Sequence, residues 1–251
     1  MVRTAFFDEP RPRIIAHRGL ALDALENTLP AFRAAVAAGA QILETDAHTS
    51  RDGVAVLLHD PELKRIAGLD APVSSLTLAE LQAIDPVAVP ICTLIDALRE
   101  LPDARFNIDV KSPEAANAVS AAIRDAGAEE RVLVASFSSA RRRAALASLG
   151  PVATSASARE LAVAIPAAKS GALPLLRRAL RTADAVQLPA RALGMSTATA
   201  RMIRRFHAAG VEVHIWTVND PDEMRRLLAA GVDGIVTDRA DLLAEVVRQH
   251  N

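Results

Sequence analysis

The sequence has one cysteine, Cys92, no tyrosine, one tryptophan and six phenylalanines in 251 residues. A single cysteine excludes an internal disulfide and suits a reducing compartment, so a cytoplasmic location is expected. Neither sign of charge is in excess: 29 basic residues stand against 30 acidic ones, which argues against a nucleic-acid partner held by a basic surface. Apolar runs stay too short for a membrane span. The first thirteen residues carry Asp8, Glu9 and two prolines where a secretion signal has a basic start and a long apolar stretch. No G-x-G-x-x-G follows an apolar run, so a dinucleotide site has nothing to rest on. No cysteine cluster or H-E-x-x-H pair offers a zinc site.

What the chain does have is apolar residues, 51% of the total with alanine foremost, ample for a sizeable core. One domain spanning 1–251 is expected at this length. Short apolar runs alternate with amphipathic stretches. Strands are expected over 13–17, 41–47, 105–110, 132–136, 152–155, 185–189, 212–218 and 234–237. A further short run turns at Asp52-Gly53 and ends at His59. Helical patterns fall over 28–38, 93–101, 113–126, 139–149, 175–182, 197–209, 221–230 and 240–248, and Gly127, Gly150, Gly210 and Gly231 each follow one. Residues 61–89 form an excursion with a helical turn or two at 77–84. Pro166, Gly171 and Pro174 mark 151–189 as a broken segment, a candidate lid. Eight strand–helix units predict an α/β fold, a TIM (β/α)8 barrel with a short insertion after the second strand.

The polar residues of these strands gather at their C-terminal ends, where TIM barrels keep their reactive groups. They are His17, Glu44, Asp46, His59, Asp109, Lys111, Trp216 and Asp238. Glu44 and Asp46, two apart on a strand, share one face. The motifs run in order as His17-Arg18-Gly19, Glu26-Asn27-Thr28, Glu44-Thr45-Asp46, Asp52-Gly53 and His59-Asp60. Downstream come Asn107-Ile108-Asp109-Val110-Lys111, Ile215-Trp216-Thr217-Val218-Asn219 and Gly234-Ile235-Val236-Thr237-Asp238. In order and spacing this set resembles the glycerophosphodiester phosphodiesterase family, over residues 13–243. The resemblance implies hydrolysis of a glycerophosphodiester to glycerol 3-phosphate and an alcohol. It also implies that one histidine deprotonates the glycerol 2-hydroxyl or a water while the other protonates the departing alcohol.

As chemistry, Glu44, Asp46 and Asp109 are three hard oxygen donors, which suit Mg²⁺ or Ca²⁺. Arg18 can grip phosphate oxygens in a fork, with Lys111 as a point charge beside it. His17 and His59 form an acid–base pair, His17 preferred as base and His59 as acid. Glu26 is expected near the metal or the glycerol, and Trp216 on the pocket wall. Plainer readings apply elsewhere. His48 is expected in a surface loop, His207 and His250 in solvent, and His214 in the barrel wall. Arg141, Arg142 and Arg143 read as a solvated helix start. Cys92, with no histidine nearby in sequence, is a poor nucleophile.

Three features depart from the family pattern: Asp109 where glutamate is usual, Leu25 where proline is, and Arg65-Ile66-Ala67 where Arg-Thr-Thr is. The shorter side chain makes Asp109 the weakest of the three ligands. Two other readings stay open. One is a lysophospholipase D-like enzyme, with the leucines and arginines of 173–181 as its support and the scarcity of aromatics against it. The other is a non-catalytic phosphate-binding barrel, against which both histidines argue. The expected partner is a small phosphodiester, without stable membrane association.

Overall fold

The computed structural model describes residues 4–192 and 195–250; of the span read as one domain, residues 1–3, 193–194 and 251 lie outside the described residues. The strands begin with β1 (Arg13–His17), β2 (Ile42–Thr49), β3 (Ala55–Leu57), β4 (Arg105–Val110), β5 (Val132–Ala135) and β6 (Ala153–Thr154). They continue with β7 (Ala185–Pro189), β8 (Arg191–Ala192), β9 (Met195–Ser196), β10 (Glu212–Trp216) and β11 (Gly234–Thr237). Eight of them lie side by side in the order β6-β5-β4-β2-β1-β11-β10-β7, all in parallel. The end strands meet at one bridge, Ser155 to Ala185. There Ala156 N–H donates to Ala185 O at 2.9 Å and Asp184 N–H to Thr154 O at 2.8 Å. The result is a nearly closed eight-stranded barrel with helices between the strands, as the strand–helix rhythm predicts.

The insertion after the second strand is also present. β3 pairs antiparallel with the upper part of β2 through the Asp52-Gly53 turn, Gly53 taking φ +84°. Residues 60–91 then pack Leu63, Val73, Leu81, Val89 and Ile91 against Val56 and Leu58 in a small separate core. Its helix Leu78–Gln82 starts on a reciprocal cap between Thr77 and Glu80.

The segment expected to be broken is two helices, Ala158–Ser170 and Leu173–Ala179, part of the outer ring and not a lid. Glu160 Oε2 accepts from the Ser157 N–H at 2.7 Å and its hydroxyl at 2.8 Å, which starts the first helix. Pro166 is tolerated because it faces solvent, so the carbonyl it leaves free at Ala162 is on the wet side. Gly171 ends that helix at φ +84°, and Pro174 sits in the first turn of the next. Leu176 and Leu180 are buried, so this second helix packs its leucines inward, although Leu175 stays exposed.

Inside the barrel, alternate positions point to the axis, and the strand registers stack them in layers of four from alternate strands. From the bottom these are Arg13, Arg105, Ala153 and Glu212; then Ile42, Leu133, Ala185 and Gly234; then Ile15, Asn107, Ser155 and His214; then Glu44, Ala135, Gln187 and Val236. Above them come His17, Asp109 and Trp216. The floor is closed by Phe6 and Phe7, which pack against Ile15, Ile42 and Leu133. Arg13 is 1% exposed. It donates to both oxygens of Glu212 at 3.0 and 2.9 Å and to the carbonyls of Glu9 and Phe7 at 2.6 and 3.0 Å. His214 is a barrel-wall residue as expected, 3.3 Å from Glu212. Gly234 leaves it room, since a Cβ there would come within 3.1 Å of both His214 and Ile15.

His207 is exposed as expected, with its Nε2 2.6 Å from the buried Asp233. One expectation of solvation is corrected. Arg142 is buried and donates to Ser155 O at 2.6 Å and Glu160 Oε1 at 2.5 Å, tying one helix to the next; Arg141 also bonds inward, and Arg143 alone of the three is exposed.

Burial alone would raise the Glu212 carboxyl, but the hydrogen bonds from His214 and Arg13 outweigh it and hold the pKa down to about 2. A carboxyl depressed in this way contributes stability above its unfolded pKa, and that contribution fades as pH falls from about 4.5 toward 2. Glu212→Gln is expected to destabilise the fold by about 3 kcal/mol at neutral pH, because Arg13 loses its buried partner. In urea unfolding the gap from wild type should narrow below pH 4.5; an equal gap at pH 3 and pH 7 contradicts the assignment.

Candidate active site

The first loop of the mouth follows from two backbone constraints. β1 ends at His17, and the chain then takes left-handed conformations at Arg18 and Gly19, φ +60° and +86°. A Cβ on Gly19 would lie 2.7 Å from the Ala31 carbonyl carbon, so only glycine fits. This turn aims the Arg18 N–H at Glu44, whose carbonyl and Oε2 each accept it at 3.0 Å. The Arg18 guanidinium reaches Glu26 at 3.1 Å and stands 3.0 Å from Asp46 Oδ2. Asn27 is left-handed as well, φ +59°. Its Oδ1 accepts the Thr45 hydroxyl at 2.7 Å and its Nδ2 donates to Asp46 Oδ2 at 3.4 Å. Thr28 is the N-cap of the helix Leu29–Ala37. The Glu-Asn-Thr motif therefore braces Arg18, braces Asp46 and starts a helix. Asn27, present in the sequence only as the middle of that motif, is a site residue by its hydrogen bonds to Thr45 and Asp46.

β2 and β4 bring the carboxylates together, with Asp46 opposite Asp109 and Glu44 opposite Asn107. Lys111 Nζ stands between them, 2.7 Å from Asp46 Oδ1 and 2.7 Å from Asp109 Oδ2. Arg141, in the first turn of the helix Ser139–Leu146, donates to the carbonyls of Val110 and Lys111 and so holds the strand end. Burial, then the charges of Asp46 and Asp109, push the Glu44 carboxyl well above the usual range. Asp109 is raised too, by burial, against the pull of Lys111. Lys111 holds its proton more firmly than usual: burial opposes this, but the two aspartates outweigh it.

Each histidine has its Nδ1 on a carboxylate. His17 Nδ1 is 2.6 Å from Asp238 Oδ1, and Asp238 is fixed by Asn219, whose Nδ2 donates to it at 2.7 Å. His59 Nδ1 is 2.7 Å from Asp60 Oδ1. Arg65, in the insertion, donates to Asp60 Oδ2 at 2.5 Å and to Glu26 Oε1 at 2.6 Å. An ionised carboxylate can only accept, so each Nδ1 carries the proton and each Nε2 is the basic nitrogen. His48 is not a surface-loop residue: it is buried in β2, its Nε2 3.2 Å from the His59 carbonyl, and burial lowers its pKa.

These groups line one cavity of about 440 Å³. His17, Arg18, Glu44, Asp46, His59, Asp109 and Lys111 form its charged side, while Ala135, Phe137, Ala156, Leu161, Pro189, Trp216 and Val236 form an apolar side. Trp216 thus stands where expected. Phe137, 61% exposed, meets it edge-on at 6.2 Å between ring centres and was not foreseen, because a lone phenylalanine after a strand carries no motif. Glu26 lies outside this lining and touches it through Arg18. Cys92 is buried away from it, its thiol pushed up by burial to about 12. Among the described residues, no group of three or more histidine, cysteine, aspartate and glutamate side chains is already spaced to hold a metal ion. Lys111 occupies the position between two of the expected ligands.

A sequence profile of the glycerophosphoryl diester phosphodiesterase family matches residues 17–242. The chain belongs to this family of enzymes. It is 43% identical over 236 residues to the probable glycerophosphodiester phosphodiesterase 2 of Mycobacterium tuberculosis, covering 93% of this chain and 89% of that one. The glycerophosphodiester phosphodiesterase of Thermotoga maritima superposes with a TM-score of 0.76 at 26% identity, over 95% of this chain and 100% of that one. A phosphodiesterase of Oleispira antarctica, solved in complex with the product sn-glycerol-3-phosphate, has the same fold. Its TM-score is 0.75 at 23% identity, over 94% of this chain and 97% of that one.

In this phosphodiesterase Arg65 is a brace between the insertion and the first loop. Arg65→Gln is expected to lower kcat by about 10- to 100-fold with little change in KM. The pH–rate profile should shift as Asp60 loosens, and Arg65→Lys should recover part of the loss. A profile that superimposes on wild type would show the brace has no part in the chemistry.

Proposed function

We propose that the enzyme hydrolyses glycerophosphodiesters to glycerol 3-phosphate and an alcohol, with His17 and His59 as base and acid and a bound divalent cation, Mg²⁺ or Ca²⁺. The observation that carries this reading is the pair of histidines. Each is tautomerically fixed by a carboxylate, and both open onto one cavity beside Arg18 and Lys111. The names of the relatives support the substrate class.

The residues at the mouth suit such a cation in kind. Glu44, Asp46 and Asp109 offer only oxygen, on two neighbouring strands that open into one cavity. Arg18 and Lys111 leave the three carboxylates one negative charge in excess, and a phosphodiester adds another. When bound, the cation neutralises the phosphodiester and the extra charge of the five-coordinate transition state.

Arg18 and Lys111 orient the phosphate oxygens. His17 takes the proton of the attacking hydroxyl, either the glycerol 2-hydroxyl or a water, at Nε2. His59, starting as the imidazolium with Nδ1–H held by Asp60, gives its Nε2 proton to the alcohol oxygen as the phosphorus–oxygen bond breaks. The surroundings favour that order. Asp60 shares its charge with Arg65, whereas Asp238 accepts from the neutral Asn219, so the fuller negative charge supports a proton arriving on His17. His59 is also the more exposed of the two, 38% against 20% for the side chains, which suits delivery to a departing alcohol.

The span 1–251 acts as one domain in this reading, in the cytoplasm and with a small-molecule partner. No helix among the described residues is long and apolar enough to cross a membrane. The apolar side of the cavity favours a second reading, a lysophospholipase D-like activity on lysophospholipids.

The test is release of glycerol 3-phosphate from glycerophosphocholine and glycerophosphoethanolamine with Mg²⁺ or Ca²⁺, repeated in chelator. His17→Ala, His59→Ala and Glu44→Ala are each expected to lower kcat/KM by about 10²- to 10⁴-fold. Undiminished turnover in chelator removes the cation from the proposal, and undiminished turnover in His17→Ala removes the two-histidine mechanism.

A further inference from the structure

The cavity has a floor as well as two sides, and the floor is polar without visible reason. Among the described residues six buried side-chain polar atoms lack a hydrogen-bond partner. Three of them, Asn107 Oδ1, Gln187 Nε2 and His214 Nδ1, fall in two adjacent layers of the barrel interior, and Asn107 and Gln187 line the cavity. Asn107 is 4% exposed and sits beside Glu44, in the strand position two below Asp109. Gln187 lies across the barrel on β7, in the same layer as Glu44. An amide buried without a partner destabilises a fold, and a leucine or methionine of the same size would fill either position more favourably. Unpaired polar atoms that face a cavity are accounted for by what enters it.

Their chemistry narrows the ligand. One unpaired atom accepts and the other donates, and neither carries charge, which matches a neutral hydroxyl. A phosphate is served higher up by Arg18 and Lys111. If the phosphodiester reading above holds, the glycerol moiety is the part of the substrate with hydroxyls to offer, and it hangs below the phosphate. The interior beneath the floor is filled by Ile15, Ile42, Leu133 and the Phe6–Phe7 plug. There is no room there for an acyl chain. We propose that Asn107 and Gln187 recognise the free terminal hydroxyl of the glycerol moiety, so that the enzyme selects fully deacylated glycerophosphodiesters over lysophospholipids acylated at that position.

The experiment compares glycerophosphoethanolamine with its analogue built on propane-1,2-diol, which keeps the 2-hydroxyl and lacks the terminal one. Wild type is expected to prefer the glycerol compound by at least about 100-fold in kcat/KM. Asn107→Leu and Gln187→Met should each bring that ratio to within about tenfold, the loss falling on the glycerol compound. Lysophosphatidylethanolamine acylated at the terminal oxygen should be a poor substrate of wild type. A preference unchanged in both variants overturns the proposal, and so does equal turnover of the lysophospholipid. Calorimetric titration with sn-glycerol 3-phosphate reads the floor independently of turnover, with binding about 10- to 100-fold weaker in each variant. If wild type turns over neither diester yet binds sn-glycerol 3-phosphate more tightly than the variants do, the hydrolase reading fails and the floor stands. Equal affinities in wild type and both variants overturn the floor.

Discussion

Glu44, Asp46 and Asp109 repel one another in a buried place, and the charges of Lys111 and Arg18 offset that repulsion. Much of the mouth is arranged around that balance. Gly19 permits the turn that brings Arg18 in, Glu26 braces the guanidinium, and Asn27 steadies Asp46. On the other side Arg141 fixes the strand end that carries Lys111. Breaking a buried pair of this kind leaves an uncompensated charge, which destabilises far more than an exposed pair ever contributes. Loops that are otherwise free to vary are thereby tied to one geometry.

The barrel sets the terms on which this is possible. Period-two alternation sends one set of side chains to the helices and the other to the axis, and the axial set changes character with height. At the base, Arg13 and Glu212 close a layer above Phe6 and Phe7; then come aliphatic residues, then amides, then the charged groups and histidines of the mouth. A rigid, filled base is what allows the upper layers to carry polar groups in fixed positions.

The strand–helix rhythm, the insertion and the identity of the mouth residues were legible because each rests on local pattern: apolar period, glycine after a helix, carboxylates two apart on a strand. What escaped was tertiary. The helix Ala158–Ser170 is hidden by Pro166 and by an alanine-rich sequence with little contrast between its faces, though Ser157 and Glu160 carried its start signal. Arg142 and His48 read as polar and therefore solvated; only the fold shows a carbonyl waiting for each. The partners of the histidines divide the same way. Asp60 adjoins His59 in sequence, but Arg65 finds it across a bend, and Asp238 reaches His17 from 221 residues away.

That last separation has a counterpart in the backbone. β1 has β2 on one side and β11 on the other, so its second neighbour is among the last strands to leave the ribosome. Until then the growing chain is an open sheet with β1 as a bare edge, and Phe6 and Phe7 have no finished ring to sit under. Such an edge invites pairing with the wrong strand. Joining β1 to β11 is a long-range contact of the kind that slows folding. His17 and Asp238 stand at the ends of those two strands, so the contact between them comes into being only when the seam does.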